Sequence, residues 1–185
     1  MKYDVILADP PWNYNNSGCR GAAENEYPTM ATDDICNLPV RSLATNDCVL
    51  FLWCTWPQSP DGLKVMEAWG FRYITGFPWV KITGIANNLW GDIEIKVPYG
   101  VGFWARGCTE FLMIGTIGKV SPPSNGFIGL LSPNLFHSRK PESVYEFAEA
   151  IPGERIELFA RRPREGWHIW GNEVISDIQI GEGIS

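Results

Sequence analysis

The chain has 185 residues, of which 45% are hydrophobic, so it is long enough for one domain with a substantial core and too short for two ordinary domains. Its formal net charge of −6 argues against a tight, nonspecific nucleic-acid binder, because neutralising phosphates supplies most of the affinity of such proteins. Five cysteines without a Cys-x-x-Cys pair and only two histidines argue against a bound zinc or other metal, and against a disulfide framework.

The first predicted element is a buried strand. Tyr3–Ala8 is apolar and rich in β-forming residues, and it ends abruptly at Asp9 and two prolines. The polar, glycine-containing residues 12–31 predict a loop, and a loop of this length inside a compact domain is usually functional. Thr32, with two aspartates after it, can cap a short helix toward Leu38.

A strand, a helix and another strand are predicted next. The continuous apolar run Cys48–Trp53 predicts a second buried strand. Ser59, as the N-cap before a proline, predicts the start of a helix that Gly70 ends. A third strand is expected within Phe71–Ile82. The apolar face of the helix is expected to comprise Leu63, Met66 and either Ala68 or Trp69.

The second half of the chain is predicted to hold long loops between fewer elements. Residues 83–102 and 117–136 are expected to be loops on either side of a fourth strand, Thr109–Thr116. Pro141 predicts the start of a helix, and Arg155–Ala160 predicts a last strand. The apolar residues of that helix recur at helical spacing, as Val144, Phe147, Ala148 and Ile151.

Strands that alternate with helices predict an α/β fold with a doubly wound, mostly parallel sheet. We expect one domain over residues 1–185, with a flexible C-terminal tail from about residue 176. The chain enters its first strand without a signal peptide, and the longest apolar run, Cys48–Cys54, is far too short to span a bilayer, so we expect a cytoplasmic protein without membrane association. Ligands of such sheets bind beyond the carboxyl ends of the strands, where Asp9 is expected to lie.

Charge is distributed unevenly along the chain. Residues 95–141 contain five basic residues and one acidic residue, Glu110, and therefore carry a local charge of +4. This stretch is either a basic patch that touches nucleic acid briefly or a chance cluster, and charge alone does not separate the two. The basic residues are Lys96, Arg106, Lys119, Arg139 and Lys140.

The segment Asp9–Trp12 suits the methylation of an exocyclic amine on a flat base. The lone pair of such an amine is delocalised into the ring, so two acceptors on its two hydrogens are needed to make the nitrogen pyramidal. Asp9 offers a carboxylate, the Pro10 carbonyl is held by the rigid φ of consecutive prolines, and Trp12 offers a face for the base to stack on. Catalysis would then be mostly positioning and electrostatics. The alternative is a strand-ending turn in which Trp12 caps the core.

Further blocks follow Asp9–Trp12 in order, up to about Val174. They are Tyr27–Met30, Asp33–Ile35, Val49–Trp53, Ala68–Phe71, Trp79–Lys81, Gly102–Trp104 with Arg106, Thr109 with Glu110, His137–Pro141, Glu157–Arg162, Gly166 with Trp167, and Trp170–Glu173. In this order the blocks resemble the adenine N6-methyltransferase family with the Asp-Pro-Pro-Trp motif. That family includes the catalytic subunit of the eukaryotic messenger-RNA adenosine methyltransferase and many bacterial and phage members.

The resemblance implies a Rossmann-like methyltransferase fold with permuted motif order, and S-adenosylmethionine (SAM) as the cofactor. The implied catalytic residues are Asp9, Pro10, Pro11 and Trp12. The implied cofactor-binding residues are Asp9, Lys140, Phe159, Arg161, Asn172 and Glu173. The implied substrate-binding residues are Trp12, Tyr27, Lys81, Arg106 and Ser138. From the residues alone, Lys81 and Arg106 could equally be ordinary surface residues, and Lys140 could be the exposed start of a helix.

The implied function is transfer of a methyl group from SAM to the N6 amine of adenine in DNA, so the implied partner is nucleic acid. Three alternatives stay open: the same reaction on RNA, a catalytically silent nucleic-acid-binding partner subunit, and an amine methyltransferase for a protein or a small molecule. Silent subunits typically lose the acid of the motif or the SAM contacts, and this sequence retains both. A homodimer and a partner subunit are both compatible with the sequence.

Overall fold

The structure is a computed structural model that describes residues 1–13, 28–87, 93–98, 107–124, 130–133 and 139–181. Within these residues, a seven-stranded sheet lies between helices on its two faces. The strands are β1 (Tyr3–Ala8), β2 (Ala44–Cys54), β3 (Arg72–Ile82), β4 (Gly84–Asn87), β5 (Ile93–Lys96), β6 (Thr109–Ile117), β7 (Leu130–Pro133), β8 (Arg155–Leu158) and β9 (His168–Trp170). The α-helices are α1 (Thr32–Asn37), α2 (Ser59–Ala68) and α3 (Glu142–Glu149), and short 3₁₀ turns cover Val40–Ser42 and Trp56–Gln58.

The strand order of the sheet is β7-β3-β6-β2-β1-β8-β9. Strand β6 runs antiparallel to both of its neighbours, whereas the other described pairings are parallel. Strands β4 and β5 form a separate antiparallel hairpin. The prediction of a mostly parallel, doubly wound α/β sheet is confirmed.

Strand β1 lies at the centre of the sheet because its side chains are apolar on both faces and need cover on both sides. Its last residue, Ala8, is opposite Leu52 of β2 on one side and Leu158 of β8 on the other. The segments after these three strands therefore emerge next to one another at one edge. Because β1 has a later strand on each side, the residue after it, Asp9, lies at the kind of switch point where α/β sheets bind ligands.

Two separate apolar layers bury the two faces of the sheet. Helices α1 and α2 cover one face, where Ile35 and Met66 pack against Ile6 and its neighbours. Helix α3 covers the other face, where Val144 and Ala148 pack in the same cluster as Leu7. Alternate residues of one strand thus serve opposite layers, as the two-residue period of a strand requires. No helix in the described part of the chain has the length and apolar character that crossing a membrane requires.

Several predicted elements differ from the structure. The expected loop 83–102 contains strands β4 and β5, the expected loop 117–136 contains β7, and β9 was not predicted. These strands have three or four residues each, so their sequence carries too little periodicity to reveal them, and β7 and β9 depend on pairing with β3 and β8.

The predicted helix starts are correct within a residue, but their caps are not, and α3 ends at Glu149, two residues before the predicted Ile151. Thr32 and Ser59 are the first helical residues, and Ala31 and Gln58 occupy the N-cap positions. In α2, Leu63 is exposed and Val65 takes its place in the core. Gly70 ends the helix as predicted, with a φ of +80° that favours glycine.

The end of the chain packs against the domain as far as the structure describes it. The Asp177 side chain accepts a hydrogen bond from the Ile169 backbone N–H at 2.8 Å, and Ile180 is buried. The expected tail from about residue 176 is therefore docked up to Ile180. Residues 182–185 lie outside the described residues, so a flexible tail stays a prediction there.

Candidate active site

The carboxylate of Asp9 lies directly beyond strand β1 and is held by a buried cation. Lys140, just before α3, places its Nζ 2.8 Å from Asp9 Oδ2, and only 10% of the Lys140 side chain is exposed. The backbone N–H of Asp9 also points at the Leu158 carbonyl of β8, at 3.4 Å. The side chain and backbone of Asp9 are thus both positioned by neighbouring elements.

Lys140 joins Asp9 to a second acid and a second cation. Its Nζ lies 3.0 Å from Glu110 Oε2, and the other oxygen of Glu110 pairs with Lys81. The two ammonium groups lie over two tryptophan rings, at 5.3 Å from the centroid of Trp53 for Lys140 and 5.0 Å from that of Trp79 for Lys81. The result is a row of alternating charges, Lys81–Glu110–Lys140–Asp9, whose two cations lie over tryptophan rings. We call these four residues the ion-pair row.

Lys140 and Glu110 stay ionised within the ion-pair row, although both side chains are largely buried. Burial lowers the pKa of Lys140, but the carboxylates of Asp9 and Glu110 outweigh burial and hold that pKa well above its usual value. Burial raises the pKa of Glu110, but the cations of Lys140 and Lys81 outweigh burial, so that pKa lies below its ordinary value. Lys140 and Glu110 are therefore charged because their neighbours carry the opposite charge.

The turn after Asp9 is fixed by hydrogen bonds of its backbone. The Trp12 N–H donates to the Pro10 carbonyl at 2.9 Å, and the Met30 N–H donates to the Pro11 carbonyl at 2.8 Å. A carbonyl has two lone pairs, so the Pro10 oxygen can still accept a hydrogen from a substrate amine.

Trp12 lies in the core instead of presenting an open face. It is 4% exposed, and its Nε1 donates to the Trp53 carbonyl at 3.0 Å. This position contradicts the expectation that a base stacks on an open Trp12 face, and it fits the alternative in which Trp12 caps the core. Strand β2 runs beside β1, so the Trp12 ring, which follows the turn after β1, packs against the end of β2.

Beyond Asp9 lies a cavity of about 280 Å³ whose wall carries both signs of charge. Its lining residues are Asp9, Arg139, Lys140, Tyr145, Glu157, Phe159, Arg161, Arg162 and Glu173. A second cavity of about 80 Å³ shares Asp9, Phe159, Arg161 and Glu173 with the first. It adds Asn172 and prolines 11 and 28. The two cavities thus form one elongated site along the ends of β1 and β8.

Phe159 adopts a strained backbone at the wall shared by these cavities. Its φ is +63°, in the left-handed region that non-glycine residues rarely occupy. The ring packs edge-on against Trp170, with centroids 5.2 Å apart. Such strain persists where the surroundings demand it, and it is concentrated at functional sites.

A buried acid, Glu157 of β8, forms part of the larger cavity. It is 8% exposed and accepts a hydrogen bond from the Tyr145 hydroxyl at 2.9 Å. Burial raises the pKa of Glu157 to about 7, the Tyr145 bond acts against this shift, and the charge of Asp9 adds to it. Burial, with the charge of Glu157, also raises the pKa of Tyr145 well above its usual value. Glu157 can therefore change charge near neutral pH.

Comparisons with known proteins identify the family of this chain. The model of the MT-A70 family matches residues 3–173. The chain belongs to the MT-A70 family. It is 32% identical to the Type II methyltransferase M.MunI of Mycoplasma over 94% of the chain and 78% of that protein. It is 30% identical to the N(6)-adenosine-methyltransferase MT-A70-like protein of Arabidopsis thaliana, and 29% identical to the N(6)-adenine-specific methyltransferase METTL4 of Mus musculus.

The chain corresponds to different shares of these MT-A70 relatives. It spans 98% of its own length in the Arabidopsis alignment but only 25% of that relative, and 94% against 38% for METTL4. The methyltransferase domain of this chain is therefore comparable in extent to the Mycoplasma enzyme and to a part of the eukaryotic proteins.

The structure brings most of the site residues implied by the resemblance into one place. All six implied cofactor residues line one or both cavities: Asp9, Lys140, Phe159, Arg161, Asn172 and Glu173. Within this group, Arg161 Nε lies 3.5 Å from Glu173 Oε1. Tyr27, Arg106 and Ser138 lie outside the described residues, so their roles stay predictions.

Two predicted basic features have a different place in the structure. Lys81 is a member of the ion-pair row, where its ammonium pairs with Glu110, so its role as a substrate contact stays a prediction. Lys140 belongs to the same row, which removes one of the five cations from the proposed basic patch of residues 95–141. Lys96, Lys119 and Arg139 are exposed and keep a basic character at the surface.

Several residues of the site were missed or undervalued at the level of the sequence. Glu110 counted only as the lone acid of a basic stretch, although it joins two cations. Glu157 and Tyr145 were not assigned, and an acid inside an apolar strand opposite a helical tyrosine was the available signal. Trp56 was not assigned either, and only the structure shows that it is exposed.

Proposed function

We propose that this domain is a SAM-dependent methyltransferase that transfers a methyl group to the N6 amine of adenine in DNA. The observation that carries this proposal is the position of Asp9, whose carboxylate ends the ion-pair row and also lines the elongated cavity. The Asp9 carboxylate thus adjoins a space for a cofactor. It also adjoins the Pro10 carbonyl, which has a lone pair left for a further hydrogen bond. Membership of the MT-A70 family supports the reaction.

The lining of the elongated cavity fits SAM. The carboxylate of the cofactor's amino-acid part requires cations, and Arg161 and Arg162 supply guanidinium groups. Ribose hydroxyls donate hydrogen bonds, which Glu173 and the Asn172 side-chain carbonyl can accept. Phe159 offers an aromatic wall between these two ends. SAM supplies a methyl group on a positively charged sulfur, which needs no further activation.

The residues of the chain then position the amine. The Asp9 carboxylate and the Pro10 carbonyl accept the two hydrogens of the adenine N6 group and aim its lone pair along the direction of transfer. Lys140 fixes the orientation of Asp9 and is itself fixed by Glu110. The methylated ammonium is acidic and releases its proton readily, so a strong base is not required. The adenine must leave a base stack, or be unpaired, to reach Asp9.

The choice of DNA as the substrate rests on how much of each relative the chain covers. The chain covers 78% of a Type II methyltransferase, whereas it covers a quarter of an N(6)-adenosine-methyltransferase, whose further length it does not share. RNA is the competing substrate, and the experiment below separates the two.

Transfer of tritium from labelled SAM to DNA and RNA oligonucleotides, each with and without adenine, tests the proposal. Incorporation that requires adenine and prefers DNA is expected. Asp9→Ala should lower the rate by about 10³-fold or more, because it removes an oriented acceptor at the reacting nitrogen. Asp9→Asn is the matched control, since it keeps an acceptor oxygen and should retain more activity. Activity in Asp9→Ala close to wild type would contradict the mechanism.

The cofactor site has its own test. Asn172→Ala combined with Glu173→Ala should weaken SAM binding, measured by calorimetry, while the thermal stability changes little because both residues are exposed. Leu63→Ala, an exposed residue of α2, is a control that should leave SAM affinity unchanged. Unchanged affinity in the double variant would place the cofactor elsewhere.

A further inference from the structure

Trp56 is a large aromatic side chain that is both exposed and held rigidly. It is 52% exposed. One face of its ring stacks on Phe111, with centroids 4.9 Å apart and planes inclined by 22°. Its Nε1 donates a hydrogen bond to Thr109 Oγ1 at 2.8 Å. One face is thus covered and the polar edge is satisfied, which leaves the other face as an immobilised, open aromatic surface.

Trp56 lies at the same edge of the sheet as Asp9. It follows β2, in which Leu52 is opposite Ala8. Trp56 is four positions after Leu52 in the chain, which allows at most about 14 Å between their Cα atoms. The 3₁₀ turn that contains Trp56 is also connected to the catalytic turn (residues 9–11 and the Trp12 that follows), because Gln58 Nε2 donates to the Asn13 carbonyl at 2.6 Å. The open ring is therefore fixed relative to Asp9.

Because Trp12 is buried, Trp56 is a candidate for the aromatic surface on which a base stacks. Trp12 directly follows the catalytic turn but is 4% exposed, so it offers no open face for a base. A nucleobase stacks on an aromatic ring whatever its sequence identity, because every base has a π face. The target adenine itself must place its N6 amine at Asp9, so the base over Trp56 has to be a neighbour of the target.

We propose that Trp56 is a substrate-binding residue that stacks on a nucleobase flanking the target adenine. This inference rests on the proposed function, in which the substrate is a nucleic acid. The Phe111–Trp56 stack presents the ring, Thr109 sets its angle, and the flanking base adds to the stack. The contact holds the strand while the target base is turned toward Asp9.

Steady-state methylation of a single-adenine oligonucleotide tests this role. Trp56→Ala should raise the KM for the oligonucleotide by about 5- to 150-fold, the range measured for base–aromatic stacking. The kcat and the affinity for SAM should stay at wild-type values. Trp56→Phe keeps an aromatic face and should retain most of the affinity, whereas Trp56→Leu keeps apolar area without that face and should not.

Tyr73→Ala provides the matched control. Tyr73 is another aromatic residue, 41% exposed, but it lies at the start of β3 and hence at the opposite edge of the sheet from Asp9. Its removal should leave the KM within twofold of wild type. Equal KM values for Trp56→Ala and Tyr73→Ala would overturn the proposal, as would full retention of affinity in Trp56→Leu.

Abasic substitutions identify the base. An oligonucleotide that lacks one base next to the adenine should bind wild-type protein more weakly, and Trp56→Ala should then cause no additional loss. Binding is read by fluorescence anisotropy of a labelled oligonucleotide, which needs no turnover. If the protein transfers no methyl group to adenine, the proposed function fails, while coupling between Trp56 and one abasic position still supports the stacking contact. Strictly additive losses at every flanking position would overturn it.

Discussion

The two sides of Asp9 are built in opposite ways. On the β6 side, the ion-pair row is closed: each charge of Lys140, Glu110 and Lys81 is neutralised by its neighbour over two tryptophan rings. On the β8 side, the wall of the cavity carries a strained Phe159 and a buried acid with a raised pKa, Glu157. The closed side holds the Asp9 carboxylate in place, and the open side lines a cavity. Under the proposed function, the closed side positions the carboxylate and the open side binds the cofactor.

Replacing Lys140, the central cation of the closed side, should have the largest effect on stability and methyl transfer. Lys140→Met leaves the Asp9 and Glu110 carboxylates facing each other without their common cation. Loss of one partner from a buried ion pair costs about 3–5 kcal/mol, so urea unfolding should show a destabilisation of that order and methyl transfer should be lost. Lys140→Arg keeps the charge and should recover most of the stability. A stability loss below about 1 kcal/mol in Lys140→Met would show that the row is not a structural unit.

The open side should respond to pH instead. The folded-state pKa of Glu157 is raised to about 7 from an ordinary 4.5, so the folded state binds more protons than the unfolded state between these values. Glu157 therefore favours folding below about pH 4.5, relative to alkaline pH, and this contribution is lost as pH rises through 7. The 2.5-unit difference corresponds to about 3 kcal/mol.

Glu157→Gln removes this titration and can still accept the Tyr145 hydrogen bond. Urea unfolding at pH 5, 6, 7 and 8 should show that the variant gains stability relative to wild type as pH rises. Glu146→Gln, on an exposed position of α3, is the control and should follow the wild-type curve. Parallel curves for wild type and Glu157→Gln would mean that Glu157 titrates at its ordinary pKa.

The strain at Phe159 offers a smaller and more specific test of the open side. Both Phe159→Ala and Phe159→Gly remove the aromatic wall and should weaken SAM binding. Glycine accepts a φ of +63° without strain, so Phe159→Gly should be more stable than Phe159→Ala by about 1–2 kcal/mol at this position. Thermal unfolding of the two variants measures the difference. If alanine is the more stable of the two, the backbone at this position is not strained.

Lys81, at the far end of the closed side, should have the smallest effect. Lys81→Met removes one of the two cations on Glu110, and changes within such networks amount to about 0.5–2 kcal/mol, or roughly a 2- to 30-fold fall in kcat. As a member of the ion-pair row, Lys81 should leave the salt dependence of oligonucleotide binding unchanged when it is replaced. A phosphate contact would instead reduce the slope of binding against salt concentration. The salt slope therefore decides between these two roles, and Lys81→Arg is the control for charge.

Local sequence was sufficient to predict the long central strands, whereas the reaction was predicted from the Asp9–Trp12 segment together with matching blocks along nearly the whole chain. Tyr3–Ala8 and the run within β2 are apolar enough to be read without a partner, and Gly70 marks its helix end by its own conformational freedom. Asp9 and the prolines after it are adjacent in the chain, so the acceptor groups of the proposed reaction could be identified from the sequence. The short strands β4, β5, β7 and β9 could not be predicted, because three or four residues carry too little pattern.

The amino-acid sequence specifies which groups are available: an acid and a rigid carbonyl after a buried strand, followed by blocks in the order of the family. Which of these groups meet depends on the folded arrangement of the strands. That arrangement paired Glu110 with Lys140 and Lys81, residues far apart in the chain, because β3 and β6 are neighbours in the sheet and α3 begins beside them. It also buried Trp12 and exposed Trp56, although both are tryptophans after strands of the same sheet. Burial and ion pairing depend on neighbours across strands, and strand pairing joins residues that are far apart in the chain, so no local pattern reveals which residues will meet.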